Sequence, residues 1–134
     1  MNKRAKGRRI EIMCKKALES LGWKVELASP KLVPIGPGCM ISKSHDLFGV
    51  FDIIAVKERR PVLMIQITTS ETDVADKRRQ VDAFPMPDAG NYQVWLYAGR
   101  GRLRQWVRMS IDKNKDNWQH FESQLGKNTI LASL

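Results

Sequence analysis

Apolar residues recur in the first part of the chain at helical spacing. Ile10, Met13, Cys14, Ala17, Leu18 and Leu21 fall at i, i+3, i+4 and i+7 intervals, which predicts an amphipathic helix from about Arg4 to Leu21. Gly22 follows as the residue suited to end it. The period then shortens. Trp23 to Ala28 (WKVELA) alternates and predicts a short strand. Phe48 to Val56 and Val62 to Thr69 are nearly continuous apolar runs joined by Glu58-Arg59-Arg60-Pro61, the pattern of a hairpin of buried strands. Asp73 to Ala83 predicts a short polar helix with Thr72 or Asp73 as N-cap, stopped before Phe84-Pro85-Met86-Pro87. Tyr92 to Ala98 and Leu103 to Met109 predict a second hairpin, its glycines at Gly99 and Gly101 supplying positive φ for the turn. In Asp112 to Leu125, the spacing of Trp118, Phe121, Glu122 and Leu125 predicts a terminal helix that closes the core. Between the first two strands, Ser29 to Ser44 carries Pro30, Pro34, Pro37, Gly36 and Gly38 and predicts a long loop.

Polar residues inside the apolar runs carry the chemical interest. Asp52 interrupts Phe48 to Val56, and a carboxylate in a buried strand requires a cation, hydrogen-bond donors or access to a cleft. Gln66 lies between Ile65 and Ile67. With a period of two it shares a strand face with Thr68, expected next to Asp52. Glu11 falls at the border of the first helix's apolar stripe, with Arg4, Arg8 and Lys15 on its flank. It either reaches into a cleft or pairs with Lys15 at i, i+4 on a solvated face. Ser42-Lys43-Ser44-His45-Asp46, directly before the strand of Asp52, is a candidate phosphate or metal-water contact or a polar surface turn.

Charge adds a partner class. The 134 residues contain 23 Lys plus Arg against 14 Asp plus Glu, a formal net charge of +9, and this surplus favours a polyanion, with nucleic acid foremost. Arg78 and Arg79 make the polar helix basic, as a solvated face or a phosphate-facing one. Trp95 and Tyr97 are expected on one face of this hairpin with, across the turn, Trp106, Arg102, Arg104 and Arg108, an interleaving that fits backbone contacts plus base stacking; Arg100 adds a cation at the turn. The alternative for this hairpin is half core and half solvated edge. No apolar run approaches the roughly 18 residues that span a bilayer, and MNKRAKGRR is not followed by a signal-peptide apolar segment. A cytoplasmic protein is expected. Cys14 and Cys39 form no CxxC pair, which argues against structural zinc; Cys14 reads as a small core residue.

An α-β-β-β-α-β order within one domain spanning 1–134, with an acid on the second strand and polar residues on the third, resembles the PD-(D/E)XK nuclease superfamily. The likeness is to archaeal Holliday-junction resolvases and their phage and plasmid relatives. It implies a mixed α/β (α+β) restriction-endonuclease-like core, a central mixed sheet flanked by helices. By this resemblance Glu11 matches the helix-one carboxylate, Asp52 the metal-binding aspartate, Gln66 the Glu/Asp of the (D/E)XK pair, Thr68 its lysine, and Gln80 a glutamine that some members place on the following helix. The implied function is Mg²⁺- or Mn²⁺-dependent hydrolysis of DNA, branched DNA included, by a homodimer. Asp52 and Glu11 would hold the metal with the amide oxygen of Gln66, Asp46 would add a third acid, and Thr68 would orient the water. Gln66 and Thr68 depart from the family pattern by one charge each. Lys43, Lys57 and Lys77 are candidates to replace the lysine. The alternative is a non-catalytic nucleic-acid-binding module on the same fold.

Overall fold

The computed structural model describes residues 3–28, 31–36, 39–43, 50–85, 90–108 and 118–125. Helix α1 (Lys3–Ser20) opens the fold. Its end is set by Gly22, at φ 93°. Gly22 N–H donates to Glu19 O and Trp23 N–H to Leu18 O, at 3.0 and 3.1 Å, the paired bonds of a Schellman motif. Lys57 Nζ donates to Leu21 O at 2.7 Å, placing a cation on the negative end of the helix dipole. Ile10, Cys14 and Leu18 are buried, in line with the predicted stripe.

A six-stranded mixed sheet follows, in the order β1 (Lys24–Leu27), β4 (Ile53–Val56), β5 (Val62–Thr68), β6 (Gly90–Tyr97), β7 (Arg102–Arg108) and β8 (Trp118–Gln124). Within this sheet only β5 and β6 run parallel, with Thr68 opposite Leu96; the other neighbours are antiparallel. The crossover between β5 and β6 contains a 3-10 turn (Glu71–Asp73) and helix α2 (Val74–Ala83), as parallel pairing demands. Asp73 occupies the N-cap position of α2, but its side chain makes no capping bond.

Two cores result, one on each sheet face. Ile10, Cys14 and Leu18 of α1 pack with Val25, Ile53, Leu63, Ile65, Trp95 and Leu103. Val74 and Val81 of α2 pack with Phe51, Met64, Tyr92, Val94 and Leu96. No helix among the described residues is long and apolar enough to cross a membrane.

Three expectations are corrected. The long loop contains a two-stranded antiparallel sheet, β2 (Lys31–Gly36) and β3 (Cys39–Lys43), whose register shifts between Pro34 and Gly36. Both strands are edges, where a proline such as Pro34 is tolerated. The predicted terminal helix is instead strand β8 over 118–124: Trp118, Phe121, Glu122 and Leu125 fit helical spacing, but the open edge of β7 recruits the segment for seven register pairs. Finally, Trp95 and Tyr97 do not share a face with Trp106 and the arginines. The turn fixes Leu96 opposite Arg104 and Trp95 opposite Gln105. Odd positions therefore face α1 and even positions face α2.

Candidate functional site

The site is built on an irregularity at the start of β4. Ile53 lies opposite Ile65 in the β4–β5 register, yet Asp52 N–H also donates to Ile65 O, at 2.9 Å. Two residues therefore oppose one, which is a β-bulge. Its effect shows in the cores: Phe51 and Ile53, two apart, would share a face in a regular strand, but Phe51 packs in the α2-side core and Ile53 in the α1-side core. Asp52 is the residue at which the alternation slips. Its Oδ2 accepts a 2.7 Å bond from Ile67 N–H, and its carbonyl accepts from Ala28 N–H at 2.9 Å. The half-buried acid is thus stitched to the end of β1 and to β5.

Glu11 of α1 is on the same side of the sheet, both charges reaching Cys14. Arg8 Nη1 sits 3.4 Å from Glu11 Oε2 and donates to Ala28 O at 3.0 Å. Glu11 therefore forms an i, i+3 salt bridge with Arg8, next to the residue that anchors Asp52. Both carboxylates act on Cys14, whose thiol pKa is pushed up to about 12, first by burial, then by Glu11 and Asp52. The thiol therefore stays protonated at neutral pH. What remains is a pair of carboxylates, an oxygen-only set. Among the described residues no three of His, Cys, Asp and Glu come together as a metal cage. Mg²⁺ does not require one, because it is commonly held by one or two carboxylates with water and substrate phosphate completing the shell.

Gln66 and Thr68 share one strand face, as expected, and are buried on the α2 side; the expectation that they lie next to Asp52 is corrected, because the carboxylates of Asp52 and Glu11 act on Cys14 on the α1 side. Gln66 Nε2 donates to Gln80 Oε1 at 3.1 Å, and Gln80 Nε2 donates to Asp76 Oδ2 at 3.1 Å. Gln66 Oε1 is buried and accepts no hydrogen bond. Two residues singled out in the sequence, Gln66 and Gln80, are therefore joined directly. Asp76, which extends this link, went unrecognised, although its i, i+4 spacing from Gln80 was a readable signal. Thr68 is committed locally: its Oγ1 accepts from Ser70 N–H at 3.1 Å and donates to Ser70 O at 3.3 Å, a hydroxyl turn that closes the strand end. Of the candidate lysines, Lys57 is engaged by Leu21 O and lies over the Trp23 ring at 5.9 Å. Lys77, half-buried one turn before Gln80, is on the helix that packs over Gln66. The side chains of Arg4 and Lys43, and the whole of His45 and Asp46, lie outside the described residues.

The basic residues separate into two groups. Arg104 is held by Glu71 at 2.8 Å, Glu122 at 3.6 Å and His120 at 3.3 Å. Trp106 stacks on His120 at 4.8 Å and lies 5.3 Å from Arg104, so this pair is committed to the β7–β8 surface. Arg108 is buried against Asp82, which also accepts from Trp118 Nε1. Arg79 is exposed and pairs with Asp76 at 3.6 Å; Arg78 is half-buried on α2. Arg100 and Arg102 are exposed at and beside the β6–β7 turn. Comparison of the chain with protein-family models, with curated proteins and with solved structures returns no match.

Proposed function

We propose that this protein is a divalent-metal-dependent nuclease of the PD-(D/E)XK type acting on DNA. The observation that carries this reading is the bulged Asp52, a half-buried acid aimed out of strand alternation, with Glu11 of α1 on the same side of the sheet. Bulges recur next to active sites because they re-aim a side chain. The surroundings support the same reading: a helix, three antiparallel strands in the spatial order β1, β4, β5, a helical crossover, and β6 parallel beside β5. That order is compatible with the α-β-β-β-α-β arrangement of a restriction-endonuclease-like core.

The donor set suits a hard cation. Asp52 and Glu11, whose charges both reach Cys14 on the α1 side of the sheet, would hold Mg²⁺ or Mn²⁺. When bound, the ion would supply an activated water and neutralise charge on the phosphate. The net charge of +9 supports a polyanionic substrate, with Arg100 and Arg102 as exposed cations to meet phosphates. On a two-fold branched substrate the proposal includes a homodimer. The test is incubation of the purified protein with linear and branched DNA in Mg²⁺ or Mn²⁺. Metal-dependent cleavage that disappears in Asp52→Asn is expected; cleavage that persists in this variant, or none with either metal, rejects the nuclease.

One observation favours a second reading. Thr68, in the position of the family's lysine, is closed into a turn with Ser70 and supplies no cation. A non-catalytic DNA-binding module on the same fold would bind with a steep salt dependence and no response to metal.

A further inference from the structure

The six-stranded sheet ends on two unlike edges. At one, β1 is four residues long and carries Lys24 and Glu26, the short, charged form in which open edges are commonly left. At the other, β8 runs seven residues, WQHFESQ, with no proline, glycine or lysine and no register shift against β7. Among the described residues no strand pairs with its outer side.

The hydrogen-bond phase of β8 tells which of its positions are open. Leu125 N–H donates to Gly101 O at 2.9 Å, one step beyond the pairing of Gln124 with Arg102. In an antiparallel ladder alternate residues bond the same neighbour. Odd positions of β8 are therefore spent on β7, and the main chain of Trp118, His120, Glu122 and Gln124 points outward.

We propose that β8 is the surface through which two copies of this chain associate, edge to edge and antiparallel, about a two-fold axis at Phe121. Charge selects this register. Centring the pair on Glu122 would set two carboxylates face to face, which is destabilising, and centring it on His120 would leave Glu122 opposite Trp118. Centring on Phe121 engages the whole strand: Trp118 meets Gln124 and His120 meets Glu122, each twice by symmetry. His120 is already held for the contact. Its ring stacks on Trp106 at 4.8 Å, and its Nε2 accepts from Arg104 Nε at 3.3 Å. In the neutral ring Nδ1 then carries the hydrogen and can donate to Glu122 of the second copy. The inference gives the proposed homodimer an interface, and it stands or falls independently of the nuclease reading.

Sedimentation equilibrium of the full chain from about 1 to about 500 µM, without DNA or metal, is the first test. Wild type should dimerise. Positions 120 and 122 are exposed, so substitutions there should leave the fold intact. Glu122→Lys makes both central positions basic and His120→Glu makes both acidic; each should weaken self-association by about tenfold, because the two-fold repeats the clash. Mixed in equal amounts, the two variants should associate again, each carboxylate now opposite a base. The second test does not depend on those variants. Phe121→Cys would place its two copies about 4.5 Å apart across the axis and should close an intermolecular disulfide on mild oxidation, whereas Gln119→Cys, whose partner position is Ser123, should not. A wild type that stays monomeric throughout, self-association that either charge variant leaves unchanged, no recovery on mixing, or equal cross-linking at 119 and 121 overturns the proposal.

Discussion

Asp52 holds both neighbours of Gln66: its N–H donates to Ile65 O at 2.9 Å, and its Oδ2 accepts from Ile67 N–H at 2.7 Å. The carboxylate therefore has a structural duty separable from any chemical one. Asp52→Asn keeps an oxygen for Ile67 N–H, whereas Asp52→Ala leaves that donor unpaired and should cost about 1–3 kcal/mol. Denaturant unfolding should show a normal midpoint for Asn and a lowered one for Ala, while both lose cleavage. Equal destabilisation by the two would show that the bond to Ile67 contributes little.

Cys14 gives a pH signature. Its thiol, ordinarily at 9.0, is raised to about 12 in the fold, chiefly by burial. The folded state thus binds the proton more tightly than the unfolded chain, so this contribution is complete below pH 9 and is lost as pH rises from about 9 toward 12. Urea midpoints between about pH 7.5 and 10.5 should fall more steeply for wild type than for Cys14→Ala. Parallel slopes would show that the thiol ionises as readily in the fold as out of it.

The end of α1 offers two substitutions with one logic. Gly22 at φ 93° and Lys57 on Leu21 O finish the same helix. Gly22→Ala should destabilise by about 1 kcal/mol or more, since a Cβ disfavours this conformation. Lys57→Met, which keeps the apolar stem, should cost about 1 kcal/mol through the lost charge-assisted bond. Thermal melts of the two variants check both, and unchanged midpoints would remove this cap from the account of α1.

Arg102 and Arg104 should differ as DNA contacts. Arg102 is exposed, whereas Arg104 already meets Glu71 and Glu122. Arg102→Ala should reduce the slope of log K against log salt by about 1 if it touches a phosphate. Arg104→Ala should leave the slope nearly unchanged and lower the melting temperature instead. Fluorescence anisotropy across a salt series, with a melt of each variant, separates them; equal slopes for Arg102→Ala and wild type would take Arg102 out of the interface.

The fold was legible where one period dominated. The α1 stripe, the apolar β4–β5 hairpin and the β6–β7 turn with its glycines came through because burial and local geometry agree there. Strand β8 was not legible: Trp118 to Leu125 suits both periods, and the choice rests on a partner edge supplied by β7. The β2–β3 pair was hidden by Pro34, a residue that normally argues against a strand. For the site, Asp52 was legible because an acid inside an apolar run needs a reason. The placement of Trp95 failed because sharing a face across a hairpin depends on the turn's register, which shifts every partner by one when misjudged. Only tertiary contact gives Asp82 its partners Arg108 and Trp118, whereas Asp76 reaches Gln80 within α2 at i, i+4 spacing.

The bulge at the head of β4 also limits how this protein can change. Because Phe51 and Ile53 serve opposite cores across a single extra residue, removing residue 52 would bring the preceding segment back into phase and swing Phe51 toward the wrong side of the sheet. Drift can therefore exchange the acid for another side chain, but it cannot excise the position. Even a descendant with another side chain at 52 would keep the extra residue itself, and with it a place where an aspartate could return.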